Sequence, residues 1–169
     1  MTAMDANQLK DLQAPLKSQY RETPRTAMIT LKAEGQIGEN VSCSVATGRA
    51  LVEAGLHPAT GGSGMQVCSG DMLLQALVAC AGVTLNAVAT ALGLALRGAT
   101  VRAEGDLDFR GTLGVDKTAP VGFQTIRLYF DLDGDLSAEQ KAQLQKLTER
   151  YCVVYQTLRS SPAFDVHMA

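Results

Sequence analysis

The feature that most constrains this chain is a long apolar segment, residues 69–93, with one cysteine, Cys80, near its centre. Leucine, alanine and methionine dominate the segment, which favours a helix. Ser69 and Asp71 can cap its first turn through their side-chain oxygens, and Gly93 stands where helices usually end. Apolar residues occur on every side of this helix, so protein or lipid must surround it. The sequence therefore predicts one long buried helix around which the rest of the chain packs.

A membrane-spanning helix is the alternative interpretation, because about 20 apolar residues are enough to cross a bilayer. The segment also contains Asp71, Gln75 and Asn86, and its many alanines and glycines make it only weakly hydrophobic. No belt of tryptophan, tyrosine or lysine flanks it, although such belts usually anchor a spanning helix. We therefore expect a core helix and no membrane partner.

Composition limits the classes of protein to which the chain can belong. The 169 residues are 46% hydrophobic, which fits one compact domain with its own core. The formal net charge is −2 and the basic residues are scattered, so we expect no nucleic-acid partner. The N-terminal residues lack the pattern of a secretory signal, which predicts a cytoplasmic protein. In that reducing compartment the four cysteines are expected to be thiols.

The pattern along the chain predicts an α+β domain over residues 25–169, preceded by a polar extension, residues 1–24. A short helix is expected around residues 6–12, and a second helix opens at Ser137 with a capping box to Glu139 and Gln140. Residues 35–39 are predicted to join the first two strands, and the strand pattern ends after Arg49. Alternation predicts strands at residues 26–33, 40–46, 99–110, 123–132 and 163–167.

A glycine-rich segment, residues 55–64, leads into the central helix. It lacks the GKS or GKT ending and the GxGxxG spacing of phosphate-binding loops, so no phosphate site is expected. Cysteines and histidines show no C-x2-C or H-x3-H spacing, so neither a metal nor a cofactor is predicted. Cys43 and His57 are expected to be a strand residue and a loop residue. Cys68 is either an ordinary loop thiol or a thiolate favoured by the start of the helix.

Two segments together resemble the OsmC/Ohr family of osmotically induced and organic hydroperoxide resistance proteins. SGDMLLQALVACAGVTL is similar to the family's central helix with its cysteine, and YCVVYQTL is similar to its second cysteine motif. The order of elements also fits from about residue 26 to the C-terminus. The resemblance implies curved antiparallel sheets packed around the long central helix in an intertwined homodimer.

The resemblance also implies a thiol-dependent peroxidase that reduces organic hydroperoxides or hydrogen peroxide. Cys80 would be the peroxidatic cysteine and Cys152 the resolving cysteine, with a dithiol reductant recycling the disulfide. Only a thiolate attacks the peroxide, so a cation or a hydrogen-bond donor must lower the pKa of Cys80. The resulting sulfenic acid must then meet a nearby thiol before it is oxidised further.

In the family an arginine held by a carboxylate activates the thiol, and this sequence departs from that pattern. The family's glutamate falls at Gly70, so Asp71 or Glu53 would have to supply the carboxylate. The expected arginine is Arg49, with Arg25 and Arg97 as alternates.

The second motif departs as well, because Val153 follows Cys152 where the family often has proline. These departures keep a second function open. In it the protein is a non-peroxidase member of the fold that binds a small apolar ligand or an electrophile over Cys80.

Overall fold

A computed structural model describes residues 5–23, 35–38, 42–46, 51–114 and 116–168. They form an α+β fold, as the sequence predicts. The helices are α1 (Ala6–Glu22), α2 (Ser69–Ala91), α3 (Phe109–Thr112), α4 (Ala138–Tyr151) and α5 (Val153–Arg159). The strands are β1 (Gly35–Gly38), β2 (Ser42–Ala46), β3 (Leu51–Gly55), β4 (Val67–Cys68), β5 (Gly98–Leu107) and β6 (Phe123–Asp133).

The predicted central helix is confirmed as α2, which has Asp71 in its first turn. Gly93 follows its end with φ of 64°, a left-handed conformation that glycine adopts without steric cost. The side chains that α2 buries follow the i, i+4, i+8 pattern, with two adjacent residues at its end, and so form one stripe. They are Leu77, Ala81, Leu85, Val88 and Ala89.

The rest of α2 is less covered within one chain. Val83 is 73% exposed, although it lies in the middle of the helix. Among the described residues, α2 is the one helix long and apolar enough to cross a membrane by length and composition. Its buried stripe nevertheless belongs to a protein core, which favours the core-helix interpretation.

The chain divides into two compact units, and α2, β5 and β6 contribute residues to both. The first unit comprises Met1–Glu22, Ala76–Arg102 and Tyr129–Ala169. Its core is Leu85, Val88 and Ala89 of α2 packed with Leu144 of α4. Ser137 caps α4, because its hydroxyl accepts from the N–H of Gln140 at 3.2 Å while the Gln140 side chain accepts from the N–H of Ser137 at 2.8 Å. The predicted capping box is therefore confirmed with Gln140 as its partner.

The second unit comprises Thr23–Gln75 and Ala103–Leu128 and contains a four-stranded sheet in the order β1-β2-β3-β4. Strands β1 and β3 each pair antiparallel with β2, which places Cys43 opposite Ile37 and Ala54. Strand β4 pairs parallel with β3, with Cys68 opposite Gly55. The sheet is thus mixed, where the sequence resemblance implied antiparallel sheets.

Several predicted elements differ from the structure. Residues 35–39 were expected to be a hairpin connection, but 35–38 form β1, and the strand pattern continues after Arg49 as β3. Residues 163–167 are not a strand, and Phe164 and Val166 are exposed there, because alternation alone supplies no pairing partner. Helix α1 extends to Glu22, well beyond residue 12. The strand predicted at 26–33 lies outside the described residues.

Candidate active site

The candidate site is formed by Cys80 on α2 and by the junction between α4 and α5. Cys80 is half-buried one helical turn before Thr84. Cys152 both ends α4 and caps α5, with an extended backbone at φ −72° and ψ 109°. Its N–H donates to the Thr148 carbonyl at 2.9 Å, and its Sγ accepts from the N–H of Tyr155 at 3.5 Å. Helix α5 therefore begins at Val153 without the proline that the family often places there.

The junction brings hydrogen-bond donors to the sulfur of Cys80. Burial by itself raises the pKa of this thiol. The N–H of Val154, the thiol of Cys152, the N–H of Val153 and the hydroxyl of Thr84 outweigh burial and lower the pKa below its ordinary value. Each of these donors is neutral, so hydrogen bonding favours the thiolate here.

The pKa values of the two cysteines shift in opposite directions. Cys152 is 1% exposed, and burial is the main reason that its pKa is raised. Its hydrogen bond to Cys80 and the charge on Cys80 raise the pKa of Cys152 further. Cys80 is therefore the first of the pair to ionise, while Cys152 keeps its proton and donates it toward the Cys80 sulfur.

Exposed apolar side chains flank the thiol pair. Val153, whose N–H points at the Cys80 sulfur, is 69% exposed, and its neighbour Tyr151 is 58% exposed. Val83 lies three residues after Cys80, on the neighbouring turn of α2. Burial of these side chains against an apolar partner would be favourable, because it removes apolar surface from water.

Three of the other predicted site residues are described, and none of the three is among the groups that shift the pKa of Cys80. Asp71 lines a cavity in the second unit, and Glu53 accepts from the side chain of Gln66 at 2.9 Å. Arg97 pairs with Asp133 at 2.8 Å and with Asp135 at 3.2 Å. Arg49 and Arg25, the expected arginine and one alternate, lie outside the described residues.

Sequence reasoning missed Thr84 and the backbone of Val153 and Val154. The position of Thr84, four residues after Cys80 on a predicted helix, was a usable signal, since residues at that spacing are neighbours. Its hydroxyl donates to the Cys80 carbonyl at 2.8 Å, and the same single O–H lowers the pKa of the thiol when it turns to the sulfur instead. The two N–H groups carry no signal in the side-chain sequence, because any residue except proline supplies one.

Comparison with known proteins agrees with this fold. A model of the family described as OsmC-like protein matches residues 62–167, more than half of the chain and including both cysteines. The chain belongs to the OsmC family. No curated protein sequence matches it significantly.

Solved structures from the same family share the fold at low sequence identity. An OsmC-like protein from Mycoplasma pneumoniae is 16% identical with a TM-score of 0.66, over 79% of this chain and 89% of that chain. An organic hydroperoxide resistance protein from Elizabethkingia anophelis is 17% identical with a TM-score of 0.64, over 79% and 91%. A third, OsmC from Legionella pneumophila, is 18% identical with a TM-score of 0.62, over 79% and 91%.

Proposed function

We propose that this OsmC-family protein is a thiol-dependent peroxidase in which Cys80 attacks the hydroperoxide and Cys152 resolves the product. The proposal rests on the environment of the two thiols: the groups around Cys80, the Cys152 thiol among them, lower the pKa of Cys80, while burial and the neighbouring Cys80 raise the pKa of Cys152. A peroxidatic cysteine needs an available thiolate, and a resolving cysteine needs to be in reach of it. The shifts of the two pKa values support these two roles.

The first step forms a bond between the Cys80 sulfur and one peroxide oxygen while the O–O bond breaks. The peroxide is reduced by two electrons, and the alkoxide that leaves takes a proton from solvent to give the alcohol. Cys80 is oxidised to a sulfenic acid, which carries no thiolate charge. The charge on Cys80 that raises the pKa of Cys152 is then gone, so Cys152 ionises more readily when its thiolate is needed.

In the second step the Cys152 thiolate attacks the Cys80 sulfur, the S–S bond forms, and hydroxide leaves as water. A dithiol reductant must then exchange with this disulfide, becoming a disulfide itself and releasing both cysteines as thiols. Such recycling fits the cytoplasmic location that the sequence predicts.

Organic hydroperoxides are the substrate class that the apolar flank favours. Val153, 69% exposed, can contact the organic group of a substrate whose peroxide lies at Cys80. Burying apolar surface is worth about 25 cal/mol per Å². Hydrogen peroxide has no organic group and gains no free energy from burying apolar surface. It is therefore expected to react more slowly than an organic hydroperoxide.

Exposed apolar residues on α2 also support a homodimer as the working form. Leu73 and Val83 remain exposed in one chain, and a second copy would cover them. Obligate interfaces of this kind often bury about 2,000 Å² or more. We expect a mass in solution near twice the chain mass of 17.9 kDa, measured by sedimentation. A stable folded monomer at low micromolar concentration would contradict this proposal.

The test of the peroxidase function is a thiol titration before and after one equivalent of cumene hydroperoxide per chain. Loss of two thiols per chain, with recovery on addition of a dithiol, is the expected result. The same dose given to Cys80→Ser is the control and should consume no thiol. If the wild-type protein also keeps all its thiols, the peroxidase proposal is wrong.

A second candidate function is binding of an apolar ligand or electrophile over Cys80 without peroxide chemistry. It is favoured by Gly70, which stands where the family has its glutamate, and by the neutral character of the groups around Cys80. Saturable protection of Cys80 from alkylation by an apolar ligand, with no thiol loss to cumene hydroperoxide, would support this alternative over the first.

A further inference from the structure

A cavity of about 370 Å³ lies within the second unit, where β4 leads into α2 and where β5 and β6 contribute side chains. Cys68, His57, Phe109, Phe123 and Leu107 are among the residues that line it. Its volume is within the range of small-molecule sites, which are usually apolar with a few polar groups. It combines a thiol, an imidazole and two aromatic rings, and the peroxidase step uses none of them.

Two glycines shape this cavity. A Cβ on Gly105 would overlap the Phe123 ring, so the absence of one lets the ring lie across β5. A Cβ on Gly70 would lie 3.5 Å from the Phe123 ring and 3.6 Å from the Cys68 Sγ. The thiol and the ring edge therefore face the same small space, which Gly70 leaves open. A planar molecule placed there would contact both.

The imidazole of His57 has a defined orientation and a defined donor. Its Nδ1 accepts from the N–H of Ala59 at 3.0 Å, so in the neutral ring the proton is on Nε2. The ring stacks on Phe109 with centroids 5.1 Å apart and an interplanar angle of 19°. The Nε2–H is consequently available to donate to a ligand oxygen, while Phe109 limits how the ring can turn.

The charges of the cavity favour a neutral ligand. Asp106 is one of its two carboxylates, and it is paired with Arg127 at 2.7 Å. Asp71, the other carboxylate that lines it, is exposed in the first turn of α2 and leaves the cavity slightly negative. An anion is therefore disfavoured, whereas a flat uncharged molecule with one acceptor oxygen suits the aromatic rings and the imidazole.

We propose that this cavity binds small α,β-unsaturated ketones or aldehydes and that the Cys68 thiol adds to them. The Cys68 sulfur forms a bond with the β-carbon, and the C=C π electrons form a new π bond between the α-carbon and the carbonyl carbon. The C=O π electrons move to the oxygen, to which the His57 Nε2–H donates. The resulting enolate takes the proton lost by the thiol, through water, at its α-carbon. No oxidant or reductant is needed, and the product is a thioether.

The test follows adduct formation at Cys68 in the full-length protein by peptide mass mapping, with 2-cyclohexen-1-one as the probe. The rate should saturate as the enone concentration rises, because binding precedes addition, and cyclohexanone, which cannot add, should compete. Iodoacetamide, a small alkylating agent with no need for the cavity, gives the reference rate at the same cysteine. The measured quantity is the ratio of the enone rate to the iodoacetamide rate.

Two variants and one control separate the site from an ordinary exposed thiol. His57→Gln should lower the ratio about five- to tenfold, as loss of one hydrogen bond to the reacting oxygen implies. Gly70→Ala places a methyl group at ordinary contact distance and should lower the ratio by narrowing the cavity. Met65→Ala, an exposed residue that does not line the cavity, should leave the ratio unchanged.

A rate that stays linear in enone concentration, or a ratio that neither His57→Gln nor Gly70→Ala changes, would overturn this proposal. Circular dichroism confirms that each variant is folded before its rate is compared. The result is independent of peroxide consumption, which is measured on the same samples, so failure here does not bear on Cys80 and Cys152.

Discussion

The surroundings of Cys80 and those of Cys68 differ in what faces the sulfur, although both cysteines are half-buried. Cys80 faces a second thiol and backbone N–H groups from the start of α5. Cys68 faces an open space bounded by aromatic rings and an imidazole. One site therefore has a built-in partner for oxidation to a disulfide. The other has room for a carbon electrophile, and the described residues that line it include no second thiol.

Under the two proposals, the reaction of each cysteine is decided by its neighbours rather than by its exposure. Cys80 is surrounded by donors that stabilise a negative sulfur, which suits attack on a peroxide. The Cys68 cavity supplies a donor placed for the ligand oxygen instead. The substitutions below test whether the two environments act separately, in order of decreasing effect.

Replacing Cys80 and Cys68 by serine, one at a time, should separate peroxide consumption from addition to the enone. Cys80→Ser should reduce peroxide consumption at least about a thousandfold, because a hydroxyl near neutral pH offers almost no anion. The same variant should keep addition of cyclohexenone at Cys68. Cys68→Ser should show the reverse pattern, measured by peroxide assay and peptide mapping. Peroxide consumption that survives in Cys80→Ser would assign the chemistry to another thiol.

Removing the resolving thiol should stop turnover but spare the first step. In Cys152→Ser the Cys80 sulfenic acid has no thiol to meet, so one equivalent of peroxide is consumed and the sulfenic acid persists. A dimedone-type probe followed by mass spectrometry measures it. Continued turnover with a dithiol, at the wild-type rate, would show that Cys152 has no resolving role.

A matched pair of variants tests the hydrogen bond from Cys152 to Cys80. Cys152→Ala removes the donor, whereas Cys152→Ser keeps an O–H that can donate. The pKa of Cys80 is lowered in the wild-type protein, so its alkylation should be half-maximal at lower pH than that of an ordinary thiol. In Cys152→Ala the profile should move to higher pH, and alkylation near neutral pH should slow about tenfold relative to Cys152→Ser.

The reference for this measurement is Cys68, whose alkylation by iodoacetamide is followed in the same samples. Neither Cys152 variant should change it. Identical pH profiles for Cys80 in the two variants would assign the lowered pKa to Thr84 and the backbone N–H groups alone.

The smallest expected effect concerns the helix that carries Cys152. Ser137→Ala removes the capping box of α4 and should lower the free energy of unfolding by about 1 kcal/mol. The peroxide rate per folded molecule should stay unchanged, because the cap lies at the far end of α4 from Cys152. Chemical denaturation measures the free energy of unfolding, and the peroxide assay measures the rate. A lower rate per folded molecule in Ser137→Ala would show that the cap affects the site.

Local signals in the sequence were enough to predict the helices that carry the site. The apolar run and Gly93 predicted α2 to within two residues of its observed end, and Ser137 with Gln140 predicted the start of α4. Caps and helix propensities act over one or two turns, so they can be interpreted without knowledge of the fold. Strands were less predictable: β1 lies where a turn was expected, and β3 was missed, because strand formation depends on a pairing partner.

The sequence by itself determined the family, the central helix and the identity of the two cysteines of the proposed peroxidase site. Only the tertiary structure decided what surrounds each sulfur. Cys80 and Cys152 are 72 positions apart, and the hydrogen bond between their thiols depends on where α4 ends. The Cys68 cavity likewise depends on Phe123 lying across Gly105, a contact between distant strands. Side-chain packing between remote segments sets these distances, and no local pattern in a single sequence records it.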